Sequence, residues 1–382
     1  MLGWAVQAGA AAALAALFYA TAPAYDNGWR WAHSTTLSAA KTASPEPLFE
    51  ERIIDKGGGG FQHAATIIKI GNEFIAFWYS GEYEGTANSA IKAARFDGKA
   101  WSAAFVVTDQ MSTARELGRF IKTVGNAVPY ITDDGALHLF YTVVPMRGWS
   151  TANLAVKSSF DGGRTWTAAR RLISSPLLNL STMVKSAPLA GTNGSILLPA
   201  YWSLGTQYPL VLQVGKDMRV TGLHRMGNNR AGLQPTIMPV DDDKAVGFLR
   251  RLRDARKTGL RTTLTKDGGK TWSKPAETGL PNQGTPTVGL RLAKDRILAI
   301  FSERNEGILS FGMFNDDGSV RARMFTLPTK FRGNKAYPYA IQDADGTIDL
   351  MFSCEDNTAI CHVRFNEAWV EQQSRQVSGA AP

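Results

Sequence analysis

Three series of positions that each recur six times, together with a twice-repeated turn of fixed composition, predict an all-β chain folded as a six-bladed β-propeller. The first series is a turn residue followed by a strand-like run, at Gly71, Gly135, Gly194, Asp243, Asp295 and Gly346. The second lies roughly ten residues earlier in each unit and opens a strand on Pro or a small residue. It runs through His63, Asn126, Lys185, Gln234, Thr285 and Tyr337. Proline at the start of a strand, as at Pro235, Pro286 and Pro338, removes no ladder bond the sheet needs. The third series is an acidic or amide turn position, at Asp97, Asp161, Asp217, Asp267, Asp316 and Asn366. Units of about 50 residues, each a four-stranded sheet, are the pattern of radial β repetition. Blade boundaries fall near residues 61, 118, 180, 228, 280 and 330.

The turn itself reads S-x-D-x-G-x-T-W over Ser159 to Trp166 and returns over Thr265 to Trp272 with Thr in place of Ser. An Asp carboxylate can accept nearby backbone N–H groups, and Gly supplies the positive φ that such a tight turn needs. The Trp then caps the unit with a large apolar surface.

The chain has 382 residues, of which 44% are hydrophobic and 37 are Gly, enough apolar material for a core and enough glycine for many turns. Residues 1–24 are apolar and Ala-rich, with Ala22-Pro23-Ala24 at the spacing of a cleavage site. They read as a signal peptide or as an N-terminal membrane anchor through residues 2–24, and either places the remainder outside the cytoplasm, periplasmic or extracellular. Residues 25–48 read as a linker, 49–372 as the propeller and 373–382 as a tail. Phe49 to Ile54 is expected to close the ring against the last blade, and residues 112–123 carry a helix-like pattern. Cys354 and Cys361 flank a polar turn, compatible with a disulfide across a hairpin or with two buried thiols.

A formal charge of +9 gives a basic surface, part of it between Arg250 and Arg261. That run reads either as attraction for an anionic glycan or as a solvated loop. No nucleic-acid module, metal-ligand spacing, phosphate loop or G-x-S-x-G turn is present, so no cofactor is expected. The chain is expected to act as a monomer.

In a propeller the starts of the innermost strands line the central channel, so the second series supplies candidate site residues: His63, Asn126, Lys185, Gln234, Thr285 and Tyr337. The repeated turns resemble the Asp-box, and over its exported part the chain resembles the sialidase superfamily, closest to its BNR-repeat branch. The H-A-P-T strand start of that branch corresponds to His63-Ala64-Ala65-Thr66, followed by the acidic loop through Glu82 and Glu84. The resemblance implies a Tyr nucleophile helped by a Glu, an acid/base carboxylate and three arginines that grip the substrate carboxylate. It implies Tyr337 as the nucleophile, Glu84 (or Glu82) as the acid/base, and Arg250 and Arg304 as two of the arginines. His63 stands where the first arginine is expected, and Gly232 and Leu233 stand where the helper Glu is expected.

Chemically the set suits a glycosidase. A tyrosinate can approach an anomeric carbon that already bears a carboxylate, and sialidases are the tyrosine exception to the two-carboxylate scheme. Arginine binds a carboxylate through two parallel hydrogen bonds. The leading expectation is therefore an exported exo-glycosidase that hydrolyses a terminal acidic sugar, with Asn126, Lys185 and Gln234 also contacting substrate. A second reading has His63 and Tyr337 acting as base and acid on a uronate-containing glycan, by hydrolysis or elimination. A third is a non-catalytic propeller that binds a glycan or a protein.

Overall fold

The structure, a computed structural model, describes residues 2–21, 30–32, 44–146, 148–175, 179–228, 230–251, 259–282, 284–292, 296–303 and 306–378. Its strands form six antiparallel sheets, five of four strands and one of five. Each sheet is a blade, and the innermost strands are Phe61–Ile70, Thr123–Ile131, Thr182–Val184, Leu233–Pro239, Thr287–Leu292 and Ala336–Gln342. Those of blades two to five are buried almost end to end because both of their faces meet neighbouring blades.

One apolar cluster fills each of the six spaces between adjacent blades. Blades one and two share Ile75, Phe77, Leu139 and Tyr141, and blades four and five share Phe248, Leu280, Phe301 and Phe314. Burying each such side chain contributes about 1.5–3 kcal/mol, so every interface is a small core of its own. Below the strand starts, hydroxyls join blade to blade. Thr66 Oγ1 donates to the Ala127 carbonyl at 3.0 Å, and Thr236 Oγ1 donates to the Thr287 carbonyl at 2.5 Å.

The strand Phe49–Asp55 pairs with Ala359–Asn366 and becomes the outermost strand of blade six. The two ends of the propeller are thereby zipped by a β-ladder, so opening the ring breaks backbone hydrogen bonds as well as side-chain contacts. Since the fourth strand of this blade comes from the N-terminal side, no turn follows residue 366. Asn366 instead caps the helix Glu367–Ser378, accepting from the Trp369 N–H at 3.0 Å. The sixth position of the turn series is therefore a helix cap, and that helix extends past the expected start of the tail at residue 373. In blade five the turn carboxylate is Asp317, which accepts from Ser319 N–H at 2.9 Å, rather than Asp316.

The two full Asp-boxes close as their composition requires. Asp161 accepts from the N–H groups of Arg164 and Thr165 at 3.0 and 2.9 Å and from Thr165 Oγ1 at 2.6 Å. Asp267 accepts from Thr271 N–H at 2.9 Å and Thr271 Oγ1 at 2.5 Å. Both turns follow the third strand of their blade, at the end opposite the starts of the innermost strands.

Part of the expected linker belongs to the body of the protein. Trp31 is 3% exposed, packs with Leu197, Met226 and Ile237 between blades three and four, and donates its indole N–H to the Asp241 carbonyl at 2.7 Å. A single Trp in a polar stretch has no periodicity to announce it. The N-terminal helix spans Leu2–Thr21. Among the described residues, no helix is long and apolar enough to cross a membrane. The helical insertion is Gln110–Glu116, capped by Asp109.

Candidate functional site

Four of the six innermost strands begin with the same local irregularity. The ladder register slips between His63 and Thr66, Gly125 and Ala127, Leu233 and Thr236, and Ala336 and Tyr339. At each slip one residue is left-handed: Ala64 (φ 57°), Asn126 (32°), Gln234 (45°) and Tyr337 (58°). A bulge re-aims a side chain, and holding a non-glycine residue there costs on the order of 1–3 kcal/mol. For a bulky residue such as Tyr337 this is a marked outlier. Gln234 and Tyr337, at two of these bulges, meet through Arg250 at one mouth of the ring.

The bulges also correct the alignment of the strand starts. Ala64, not His63, is the blade-one counterpart of Tyr337. His63 sits one residue earlier, yet its ring still reaches the mouth, with its centroid 4.2 Å from that of Tyr337.

A chain of polar contacts crosses this mouth. Arg250, the last residue of the second strand of blade four, donates from Nη1 to the Tyr337 hydroxyl at 3.1 Å and to Gln234 Oε1 at 2.9 Å. Gln234 Nε2 reaches the Tyr201 hydroxyl at 3.4 Å. His63 Nδ1 lies 3.0 Å from Asn357 Oδ1, and because a carbonyl oxygen only accepts, the imidazole donates. The Arg250 Nε is buried with no hydrogen-bond partner among the described residues, and both of the bonds above come from Nη1.

Burial separates the three tyrosines. Burial pushes the Tyr79 hydroxyl well above its usual pKa, and Glu84, Tyr337 and Tyr201 push it further. Tyr201 is raised first by burial and then by Tyr337, while Arg250 pulls it down. Both therefore remain neutral phenols. Tyr337 is the half-buried member, and it has the arginine contact.

The mouth gathers His63, Tyr337, Arg250 and Gln234, while Asn126 is buried at the equivalent bulge of blade two. Glu84 is exposed on the loop after the second strand of blade one, close enough to act on Tyr79 and Tyr201. Lys185 lies elsewhere. It is 2% exposed, donates to the Ala65 carbonyl at 3.1 Å, stands over the Tyr339 ring, and borders a cavity of about 180 Å³ on the propeller axis. Its strand begins earlier than expected, at Thr182, which puts Lys185 below the rim. Thr285 is also buried, against the Ser302 carbonyl. Arg304 lies outside the described residues. Arg251 turns away to Glu277 at 2.7 Å, as strand alternation requires.

Tyr79, Tyr201, Asn357 and Trp149 join the site without having been singled out in the sequence. Tyr79 and Tyr201 lie near the ends of second strands, the same place in the blade as Arg250. Applying that position to all six repeats would have found them. Trp149 packs edge-on to Tyr79 across 6.2 Å and closes over Gly125, where a Cβ would stand 2.8 Å from the indole. Among the described residues, no group of three or more His, Cys, Asp or Glu side chains is placed to hold a metal ion.

Six blades, two complete Asp-boxes and a tyrosine–arginine pair at the mouth define a sialidase-like β-propeller. The chain belongs to the BNR repeat-like domain family, whose model matches residues 72–350. Comparison with curated protein sequences returned no match. Among solved structures, a protein of unknown function from Dyadobacter fermentans is similar at 16% identity and a TM-score of 0.64, covering 83% of this chain and 98% of that one. The Trypanosoma rangeli sialidase is similar at 12% identity and a TM-score of 0.61, and this chain, 92% covered, spans 61% of its length. The NanB sialidase of Streptococcus pneumoniae is similar at 12% identity and a TM-score of 0.59, covering 87% of this chain and 71% of that one. At these identities the likeness is one of fold.

Proposed function

We propose that this protein is an exported exo-glycosidase of the sialidase type, which hydrolyses a terminal acidic sugar from a glycan. The observation that carries the reading is the Arg250 contact to a tyrosine held left-handed at the mouth. The guanidinium fixes the position of the phenol oxygen at the mouth. The tyrosinate oxygen of Tyr337 forms a bond to the anomeric carbon as the glycosidic bond breaks, and Glu84 gives its proton to the leaving oxygen. Water then cleaves the sugar from Tyr337, with Glu84 taking a proton back. The Arg250 guanidinium receives the substrate carboxylate, His63 Nε2 accepts a hydrogen bond from a sugar hydroxyl, and Trp149 offers an aromatic wall to the sugar ring. Export rests on the apolar N-terminal segment.

The test is a screen of the full chain against aryl glycosides of sialic and other acidic sugars, beside Tyr337→Phe. Turnover by the wild type that falls at least ~10³-fold in the variant is expected for loss of a nucleophile. Absence of turnover on every acidic glycoside would overturn the reading.

A second reading is favoured by one observation, the 4.2 Å separation of the His63 and Tyr337 rings. It makes the pair a base and an acid for elimination from a uronate-containing glycan. An unsaturated product, detected by its ultraviolet absorbance, would select it.

A further inference from the structure

His63 and its neighbour Ala64 are tied to blade six at one point each, both on the last blade's second hairpin. The Ala64 N–H donates to Ser353 Oγ at 3.1 Å, and the His63 imidazole donates to Asn357 Oδ1 at 3.0 Å. Asn357 ends a run of three left-handed residues, Glu355, Asp356 and Asn357, with φ of 48°, 59° and 67°. Each is strained, so the loop needs external constraint to keep this shape. Three constraints are present. The Cys354–Cys361 disulfide closes the hairpin, with a Cα–Cα distance of 6.0 Å. Asp356 Oδ1 accepts from both the N–H and the side-chain amide of Asn334 at 2.9 Å. The Glu355 N–H donates to the Arg332 carbonyl at 3.1 Å.

We infer that Asn357, presented by this disulfide-closed hairpin, is a positioning residue that holds His63 as its Nδ1–H tautomer. An acceptor on Nδ1 keeps the hydrogen there and leaves the lone pair of the neutral ring on Nε2. The same contact fixes the ring plane against Tyr337. The tie thus selects which nitrogen of His63 accepts a proton and which way the ring faces. The consequence for turnover rests on the catalytic reading of the mouth; the tautomer itself does not.

The test is nitrogen-15 NMR of the histidine side chains in the full chain, with the His63 signals assigned by their loss in His63→Gln. The wild type is expected to show a protonated Nδ1 in the neutral ring. Asn357→Ala and Cys354→Ala/Cys361→Ala are expected to release the ring to a mixture of tautomers. Asn357→Asp, which keeps an acceptor oxygen, is expected to restore the Nδ1–H form. On any acidic glycoside that is turned over, Asn357→Ala should lower kcat by about 10–100-fold, the usual cost of losing an outer partner that orients a ring. A wild-type His63 protonated on Nε2, or signals unchanged in Asn357→Ala, would overturn the inference. If the double cysteine variant does not fold, the single Asn357→Ala comparison decides. The expected NMR pattern without turnover on any acidic glycoside would leave the positioning role standing and remove the glycosidase reading instead.

Discussion

Arg250 Nη1 and the Tyr337 hydroxyl meet at 3.1 Å, joining the end of a strand in blade four to the start of a strand in blade six. The contact exists because a ring of sheets brings positions 87 residues apart to one mouth. Arg250→Lys keeps the charge but loses the planar fork that serves Tyr337, Gln234 and an incoming acceptor together. It is expected to lower kcat/KM on an acidic glycoside by about 10²-fold, or ~2.7 kcal/mol, with little change in thermal stability. Steady-state kinetics beside a thermal melt would check this, and an unchanged kcat/KM would contradict it.

Lys185 makes a prediction about pH. Burial lowers its pKa in the folded protein to about 7, against an ordinary value near 10.4 in the unfolded chain. Between those values the unfolded chain binds more protons, so stability should rise as pH goes from about 7 toward 10. Below about 7 both states are protonated, and the cost of burying the ammonium is constant. Lys185→Met fills the same space without a charge and should flatten this rise. Urea unfolding at several pH values between 7 and 9.5 would show it. Parallel curves for the two proteins would contradict the assignment.

Trp31 is expected to be part of the fold and not of a tether. Trp31→Ala empties a site between blades three and four and removes the hydrogen bond to Asp241. The expected loss is about 3–5 kcal/mol in denaturant unfolding. A loss below about 0.5 kcal/mol, typical of a surface position, would show that the segment does not dock.

Asp161 separates the Asp-box from the site. Thr165, through its hydroxyl and its N–H, together with Ser159, holds this carboxyl well below the usual carboxylate range. Its contribution to stability is present above the unfolded value near 3.9 and is lost as pH falls through the lower folded value. Asp161→Ala should lower the Tm at pH 7, leave kcat unchanged, and converge with the wild type in strong acid. A fall in kcat with an unchanged Tm would reverse the roles of the two faces.

The repeat was legible because each blade restates its turn, its strand start and its apolar run at one spacing. Six copies compensate for the degeneracy of any one of them. Tyr337 was legible by its place within that repeat, whereas Arg250 came only from the family resemblance. His63 was misaligned by one residue because a bulge leaves no mark in a hydrophobic pattern, and Ala64 at its strained position is an unremarkable residue in the sequence. Lys185 was placed at the mouth because its Ala-Pro neighbours imitate a strand start, while the true start at Thr182 lies in a run without proline. Asn357 was unreadable for a different reason. Its role depends on a hairpin shape set by the disulfide and by Asn334, neither of which short-range pattern can convey.

The most direct test of tyrosine catalysis is peptide mapping by mass spectrometry after rapid acid quench of the full chain turning over an acidic aryl glycoside. The expected result is the mass of one sugar residue on the peptide containing Tyr337, absent from Tyr337→Phe, whose turnover is lost. Steady turnover with no adduct on that peptide, and undiminished in Tyr337→Phe, would contradict it.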